Sequence, residues 1–377
     1  VGQAWGAKNV EKVRYVVGST LFMTLIGGSI IALLGVLFAE HILLALGTDP
    51  DVMHLSLPYV QWMLAGSPLL FIYIIYTSIL RGVGDSTTPL IASGMTILIG
   101  VLITPVLIAG YFGFPKMGIV APAIATIVGY LAVLIFLAVY LNKKDHPLKP
   151  DRHLLSHIRH QRELSIIILR LGIPTGIQMV TTSVAGLVIV GLVNRYGSHA
   201  TAAYGAVNQV LNYIQFPALS ISIAASIFAA QAIGAGKSEL LNKVMRTALG
   251  MNIVITGGLV ALAYLFSKYL MALFITDPTV VVLGQQLLFI VLWSIIFFGG
   301  SAIFASIMRA SGTVTVPMII NIVAIIGIEV PCAYLFSQWW GLQGIWYAYA
   351  LAFVCLCILQ GLYYQFVWKK KTVKALV

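Results

Sequence analysis

The chain has 377 residues, of which 60% are hydrophobic and 9% charged, and its formal net charge is +11. A soluble domain carries roughly 25% charged residues, so a mean hydropathy of +0.99 excludes a water-soluble fold and calls for lipid to cover the apolar surface. The positive charge sits in the breaks between apolar runs, which excludes reading it as a nucleic-acid surface.

Apolar runs of about 20 residues or more alternate with short polar breaks, the spacing of membrane-spanning helices. The residue-by-residue alternation of a membrane β-barrel is missing. The pattern predicts an all-α integral membrane protein with ten spans at 13–38, 57–80, 90–112, 118–141, 165–193, 203–230, 247–275, 283–308, 314–337 and 343–367. In chain order, Gln3-Ala4-x-Gly6-Ala7 reads as the end of a helix, with small residues for close packing. Asp49-Pro50-Asp51 reads as a turn that starts the next helix, with Pro in its first turn. Arg81 ends the second span, where a cation suits the helix dipole, and Gly84 lets the chain reverse. An ion pair of Arg81 with Asp85 is a second role for that position.

The longest polar stretch runs from Asn142 to Glu163. His153, His157 and His160 are spaced i, i+4 and i+7, one helical face. No Cys or well-placed carboxylate completes a metal site there, and the segment reads as a basic amphipathic helix on anionic headgroups. Past it, the fifth span carries Gln178, Thr181, Thr182 and Ser183. The sixth carries Tyr204, Asn208, Gln209, Asn212 and Gln215. Such hydroxyls and amides can coordinate Na⁺ or bind substrate, or simply join helices. Asp277-Pro278 opens the eighth span, and Arg309 with Gly312 closes it. Trp339-Trp340-Gly341 is an interfacial turn. Cys332, Cys355 and Cys357 lie inside spans without acid or His beside them and read as small apolar filler.

The chain repeats itself at a constant offset of 228 residues. Gln3-Ala4-x-Gly6-Ala7 returns as Gln231-Ala232-x-Gly234-Ala235. Thr48-Asp49-Pro50 returns as Thr276-Asp277-Pro278, and Arg81-x-x-Gly84 as Arg309-x-x-Gly312. Two like halves in an apolar chain point to a transporter whose site between the halves faces either side in turn. Roughly 60 residues of the second half precede the repeated Gln231 motif, and two residues precede Gln3. The expectation is a piece of a twelve-span protein that starts after two spans. It would hold an incomplete first lobe at 1–142, a basic linker at 143–164 and a second lobe with a basic tail at 165–377. With ten spans, 19 Lys and Arg fall on the side of the linker and tail, and only Lys116, Arg195 and Lys268 on the other. That asymmetry puts the C-terminus in the cytoplasm.

Residues 1–9 (Val-Gly-Gln-Ala-Trp-Gly-Ala-Lys-Asn), 80–89 (Leu-Arg-Gly-Val-Gly-Asp-Ser-Thr-Thr-Pro), 118–126, 171–174, 202–205 and 231–235 form an ordered set across both halves. In content and spacing the set resembles the multidrug and toxic compound extrusion (MATE) transporters over nearly the whole chain. The resemblance implies two six-helix lobes related by a pseudo-two-fold axis along the membrane normal, in the bacterial inner membrane. It implies export of organic cations or amphipathic drugs, driven by inward Na⁺ or H⁺, by a monomer without a cofactor. The chain also departs from the family. One proton-coupled branch uses an Asp in the first helix, absent here, and Asn-x-x-x-Asp-Pro in the fifth, where this chain has Gly100, Thr104 and Pro105. A Na⁺-coupled branch carries Glu eight residues after the Pro of the seventh helix, where this chain has Thr182.

One carboxylate lies deep in a span. Glu329 sits mid-span in Ile325-Ile326-Gly327-Ile328-Glu329-Val330-Pro331, and such an acid is neutral, paired or functional. Pro331 lacks an N–H and frees a carbonyl one turn earlier, near Gly327. The coupling ion is therefore assigned to Glu329, with Asn208 and Thr182 as partners and Asn321 as a further one. The exported compound is assigned to Tyr204, Asn212, Gln178 and Gln215. A lipid-linked sugar flippase of the same superfamily is the alternative, and the lack of Lys or Arg deep in any span speaks against its pyrophosphate. A membrane enzyme would need a nucleophile with a base, or a metal cluster, at membrane depth. Gly299-Gly300-Ser301 has no such partner.

Overall fold

The computed structural model describes residues 1–158, 161–371 and 375–376, which leaves His160 outside the described residues. Among these the chain is helical throughout, without a strand. It divides into two compact units, Val1–Ile168 and Leu169–Val377. Among the described residues nine helices are long and apolar enough to cross a membrane, or ten if one bent pair counts as a single span.

In the first unit a short α1 (Gly2–Gly6) leads into α2 (Val10–Ala45), capped by the Asn9 side chain on Lys12 N–H at 2.9 Å. α3 (Pro50–Ala65) starts as the sequence predicts, with Asp49 accepting from Asp51 N–H at 2.9 Å and Pro50 in the first turn. α4 (Ser67–Gly82) follows after a 44° bend at Gly66. The span expected at 57–80 is thus two helices, because Pro68 has no N–H for the preceding turn and its ring would strike that turn's carbonyl. α5 (Thr87–Ala109), α6 (Ala121–Lys143) and the short α7 (Arg152–Ser156) complete the unit. Its core gathers Leu80, Leu137, Leu141, Leu148 and Leu154.

The last two of those leucines belong to the polar stretch read as a helix on headgroups. Instead, α7 ends at Ser156, and the segment turns its apolar side into the unit. Leu148 and Leu154 are fully buried, and His157 is 6% exposed. Tyr76 donates to the Leu148 carbonyl at 2.5 Å. That hydrogen bond and the two buried leucines hold the segment on the unit.

α8 (Arg162–Asn194) runs from the first unit into the second, where α9 (Ser198–Gly234), α10 (Leu240–Leu265) and α11 (Ser267–Ala272) follow. α12 (Pro278–Val291) passes through a 3₁₀ turn at Leu292–Ser294 into α13 (Ile295–Ala310). α14 (Thr315–Ile322), a π turn at Val323–Glu329 and α15 (Val330–Trp340) form one interrupted span before α16 (Leu342–Phe366). The internal repeat is visible in these starts. α12, α13 and α14 begin 228 residues after α3, α4 and α5. Asp277 caps α12 through Thr279 N–H at 2.8 Å as Asp49 caps α3. Gly84 and Gly312 reverse the chain at φ 97° and 87°. Arg81 bonds Ser78 Oγ at 3.0 Å and Arg309 bonds the Ala305 carbonyl at 3.3 Å, each on its own helix. Asp85 accepts instead from Thr88 N–H at 3.0 Å, at the start of α5, so the two residues do not pair.

Lipid tails are as apolar as Leu, so helices in a membrane associate through close packing and interhelical hydrogen bonds. The second unit has both in one place. Asn252 is 1% exposed, donates to the Ile296 carbonyl at 2.9 Å, and accepts from Thr256 Oγ1 at 3.0 Å. Gly299 makes this approach possible, since a Cβ there would lie 2.1 Å from Asn252 Oδ1. That is the packing role of the Gly299-Gly300-Ser301 run. Gly299→Ala should lower the thermal unfolding midpoint of the purified protein in detergent, by overpacking costing about 1–3 kcal/mol. An unchanged midpoint would mean that Asn252 turns away without loss.

Candidate functional site

The interrupted span is where the second unit departs from regular helix. A π turn adds one residue to the helix, and such turns are frequent at functional sites. Here Val330 N–H reaches the Ile325 carbonyl, and Pro331 has no N–H to offer. The Ile326 carbonyl therefore loses both donors that a helix would give it, one residue earlier than α spacing predicts. Glu329 closes the π turn and is 8% exposed. Among the described residues it forms no ion pair.

One tyrosine interacts with it, and a second adjoins the first. Tyr349 on α16 interacts electrostatically with Glu329. Its hydroxyl lies 3.1 Å from the hydroxyl of Tyr204 on α9. The indole of Trp346, fully buried, packs tilted against both rings, with centroids 5.4 Å from Tyr204 and 5.6 Å from Tyr349. The Trp346 indole N–H has no hydrogen-bond partner among the described residues. Asn208, one turn after Tyr204, donates to the Tyr204 carbonyl at 3.1 Å and keeps its side-chain oxygen for another group. The arrangement is a carboxylate, two phenols, an indole and an amide oxygen on three elements of one unit. It can hold a proton or a small cation at the acid, and an organic cation on the aromatic faces.

The structure thus links Glu329 to Tyr204 through Tyr349 and sets Asn208 one turn along α9 from Tyr204. It does not bring the others there. Asn212 is exposed and Gln215 half-buried, about 12 and 16 Å along α9 from Tyr204 at 1.5 Å per residue. Thr182 is exposed and donates to the Gln178 carbonyl at 3.0 Å on its own helix. α8 meets the core through Ile189, Leu192 and Val193, about 10 Å along the helix from Thr182. Asn321 Oδ1 is buried without a hydrogen-bond partner. Cys332 packs with Ala333 and Phe336 in the apolar cluster along the first turns of α15. Among the described residues of this unit no three His, Cys, Asp or Glu side chains converge on a metal position. Two grooves of the unit lie elsewhere, one beside Ser198 and Asp277 and one between α9 and α10 near Lys243.

Tyr349 and Trp346 were not among the expected site residues. The signal was the spacing of Trp346, Tyr349 and Phe353, which puts three aromatics on one face of α16. It is confined to the second half: at the 228-residue offset Trp346 falls on Gly118, Tyr349 on Ala121, and Glu329 on Val101.

A polar neighbourhood buried within apolar spans of a duplicated, all-helical chain defines a membrane transporter. The MatE family profile matches residues 1–106 and 174–335. The chain is 44% identical over its whole length to "Probable multidrug resistance protein YoeA" of Bacillus subtilis, covering 82% of that protein. It is 25% identical to "Probable multidrug resistance protein NorM" of Thermotoga maritima, covering 92% of this chain and 74% of the other. It superposes with TM-score 0.89 on an outward-facing multidrug resistance MATE transporter, at 20% identity, covering 98% of this chain and 82% of that one. A MATE solved in complex with MaL6 gives 0.87 at 21% identity, covering 96% and 80%. The chain belongs to the MATE family of multidrug efflux transporters, and it is not an enzyme.

Tyr349→Phe removes one hydroxyl and leaves the ring stack, so the protein should reach the membrane in normal amount. Efflux of a fluorescent cation should slow several-fold, read as dye retention in cells matched for protein level. Unchanged retention would remove Tyr349 from the site.

Proposed function

We propose that the transporter exports organic cations and amphipathic drugs from the bacterial cytoplasm in exchange for inward Na⁺ or H⁺, by alternating access between two lobes. Glu329 carries the coupling ion with Asn208 as its partner, and Tyr204 contacts the exported compound, with Tyr349 joining the two. Thr182, Gln178, Asn212 and Gln215, which lie away from this cluster, take no part in it. The protein acts as a monomer with its C-terminus in the cytoplasm, as the excess of Lys and Arg in the linker and tail favours.

The observation that carries this reading is the buried Glu329 at the end of a π turn, beside an opened carbonyl and an aromatic stack. A carboxylate with carbonyl oxygens nearby suits Na⁺, and a carboxylate that loads and unloads one proton suits H⁺. Aromatic faces next to an acid suit a bulky organic cation, since ring quadrupole and charge both attract it. Coupling follows if the cation and the ion compete for the one acid, because each then leaves on the side where the other is abundant. The names of the relatives, multidrug resistance proteins, agree with such a cargo.

The test is dye efflux from proteoliposomes under an imposed Na⁺ or H⁺ gradient, with the chain extended to the full length of its relatives. One gradient should drive efflux. Glu329→Gln should leave binding measurable and abolish the response to that gradient. A gradient response equal to wild type in Glu329→Gln would reject Glu329 as the coupling group.

A further inference from the structure

The segment between the spans of the first unit places two imidazoles and a carboxylate together. Glu11 lies in the first turn of α2, and His153 and His157 lie on and just after α7. Their ligand atoms all fall within 4.8 Å of one another. The helical face of α2 that meets α7 runs through Glu11, Arg14, Tyr15 and Gly18. Tyr15 packs edge-on to the His157 ring at 4.1 Å. Gly18 leaves room for the His157 backbone, whose carbonyl oxygen would lie 2.3 Å from a Cβ at that position.

The hydrogen bonds fix which nitrogen is free. His157 Nδ1 faces the His153 carbonyl at 2.5 Å. A carbonyl only accepts, so Nδ1 carries the hydrogen and Nε2 keeps its lone pair. A metal-ligating His commonly has its other nitrogen on a carbonyl in this way. His153 Nδ1 faces Arg14 Nη1 at 2.9 Å. A guanidinium only donates, so that nitrogen presents a lone pair to a cation already. Arg14 has two further partners, the Pro147 carbonyl at 3.0 Å and Asp151 at 3.6 Å.

We propose that Glu11, His153 and His157 form a binding site for Zn²⁺ or a similar borderline cation, with Arg14 as the group the ion displaces from His153. Two imidazoles and one carboxylate make a three-ligand zinc set with a fourth position left to water. Bonds of about 2.0–2.2 Å in tetrahedral geometry bring ligand atoms to about 3.4 Å apart. The trio therefore has to contract by about 1.5 Å, which the exposed Glu11 and His153 side chains can supply by rotation. Arg14 then keeps Pro147 and Asp151. The ion would clasp the start of α2 to the segment that precedes α8. The sequence pointed away from this site because its carboxylate is distant in the chain and the third His of the run, His160, is not needed.

The test is calorimetric titration of ZnCl₂ into the chelator-stripped chain in detergent, together with trypsin cleavage at Lys144 and Arg152. One Zn²⁺ per chain should bind and slow cleavage. Glu11→Gln, an exposed change that does not threaten folding, and His153→Gln should each weaken binding at least tenfold and remove the protection. Absence of a one-to-one titration would overturn the proposal. So would a titration that survives unchanged in Glu11→Gln combined with His153→Gln.

Discussion

A backbone amide inside a bilayer has no water to bond, and each orphaned group costs several kcal/mol. This constraint makes every span a helix and makes each interruption of a helix informative. The chain interrupts its spans at few places. Gly66 bends α3 against α4, Leu292–Ser294 tightens the join of α12 and α13, and Val323–Glu329 loosens the join of α14 and α15. The first two occupy equivalent positions of the repeat and belong to the architecture. The third has no equivalent in α5, which runs on past Pro105 as a regular helix. It coincides with the one acid deep in a span, and an exception to the strictest rule of the membrane is where a function belongs.

The repeat supplies helices of matched start, and the differences between its copies supply chemistry. Caps and reversals are copied: Asp49 and Asp277, Gly84 and Gly312, Arg81 and Arg309. Polar contacts at membrane depth are not. Glu329, Trp346 and Tyr349 replace Val101, Gly118 and Ala121. A duplicated fold keeps what holds it in the membrane and lets one copy specialise.

Much of this was legible in the sequence, for local reasons. Span positions follow from runs of apolar residues, and helix starts from Asp-Pro pairs whose capping acts within three residues. Glu329 could be chosen because an acid among Ile, Gly and Val stands out. What could not be read depends on partners far apart in the chain. The hydroxyl contact of Tyr204 with Tyr349 joins α9 to α16, and nothing in either span names the other. The docking of Leu148 and Leu154 on the first unit depends on the space left by Gly18 and on Tyr76, so the run of basic residues alone suggested headgroups. The bend at Gly66 was hidden because hydropathy is blind to direction. The π turn was half-visible: Pro331 announced an opened carbonyl, and only the register decided that it belongs to Ile326 rather than Gly327.

The lengths of α2 and α9 have a consequence of their own. With 36 and 37 residues they rise about 54 and 56 Å, against a hydrocarbon layer of about 30 Å. Neither is pinned to one depth by its length. A thicker or thinner bilayer is met by tilt, at fractions of a kcal/mol per Å, and the wetted stretch at each end lengthens or shortens without breaking a hydrogen bond. Hydrophobic mismatch therefore falls lightly on these two helices and more heavily on shorter ones such as α5, whose 23 residues span about 35 Å. Bilayer thickness should then bear on the relative tilt of neighbouring helices before it bears on folding.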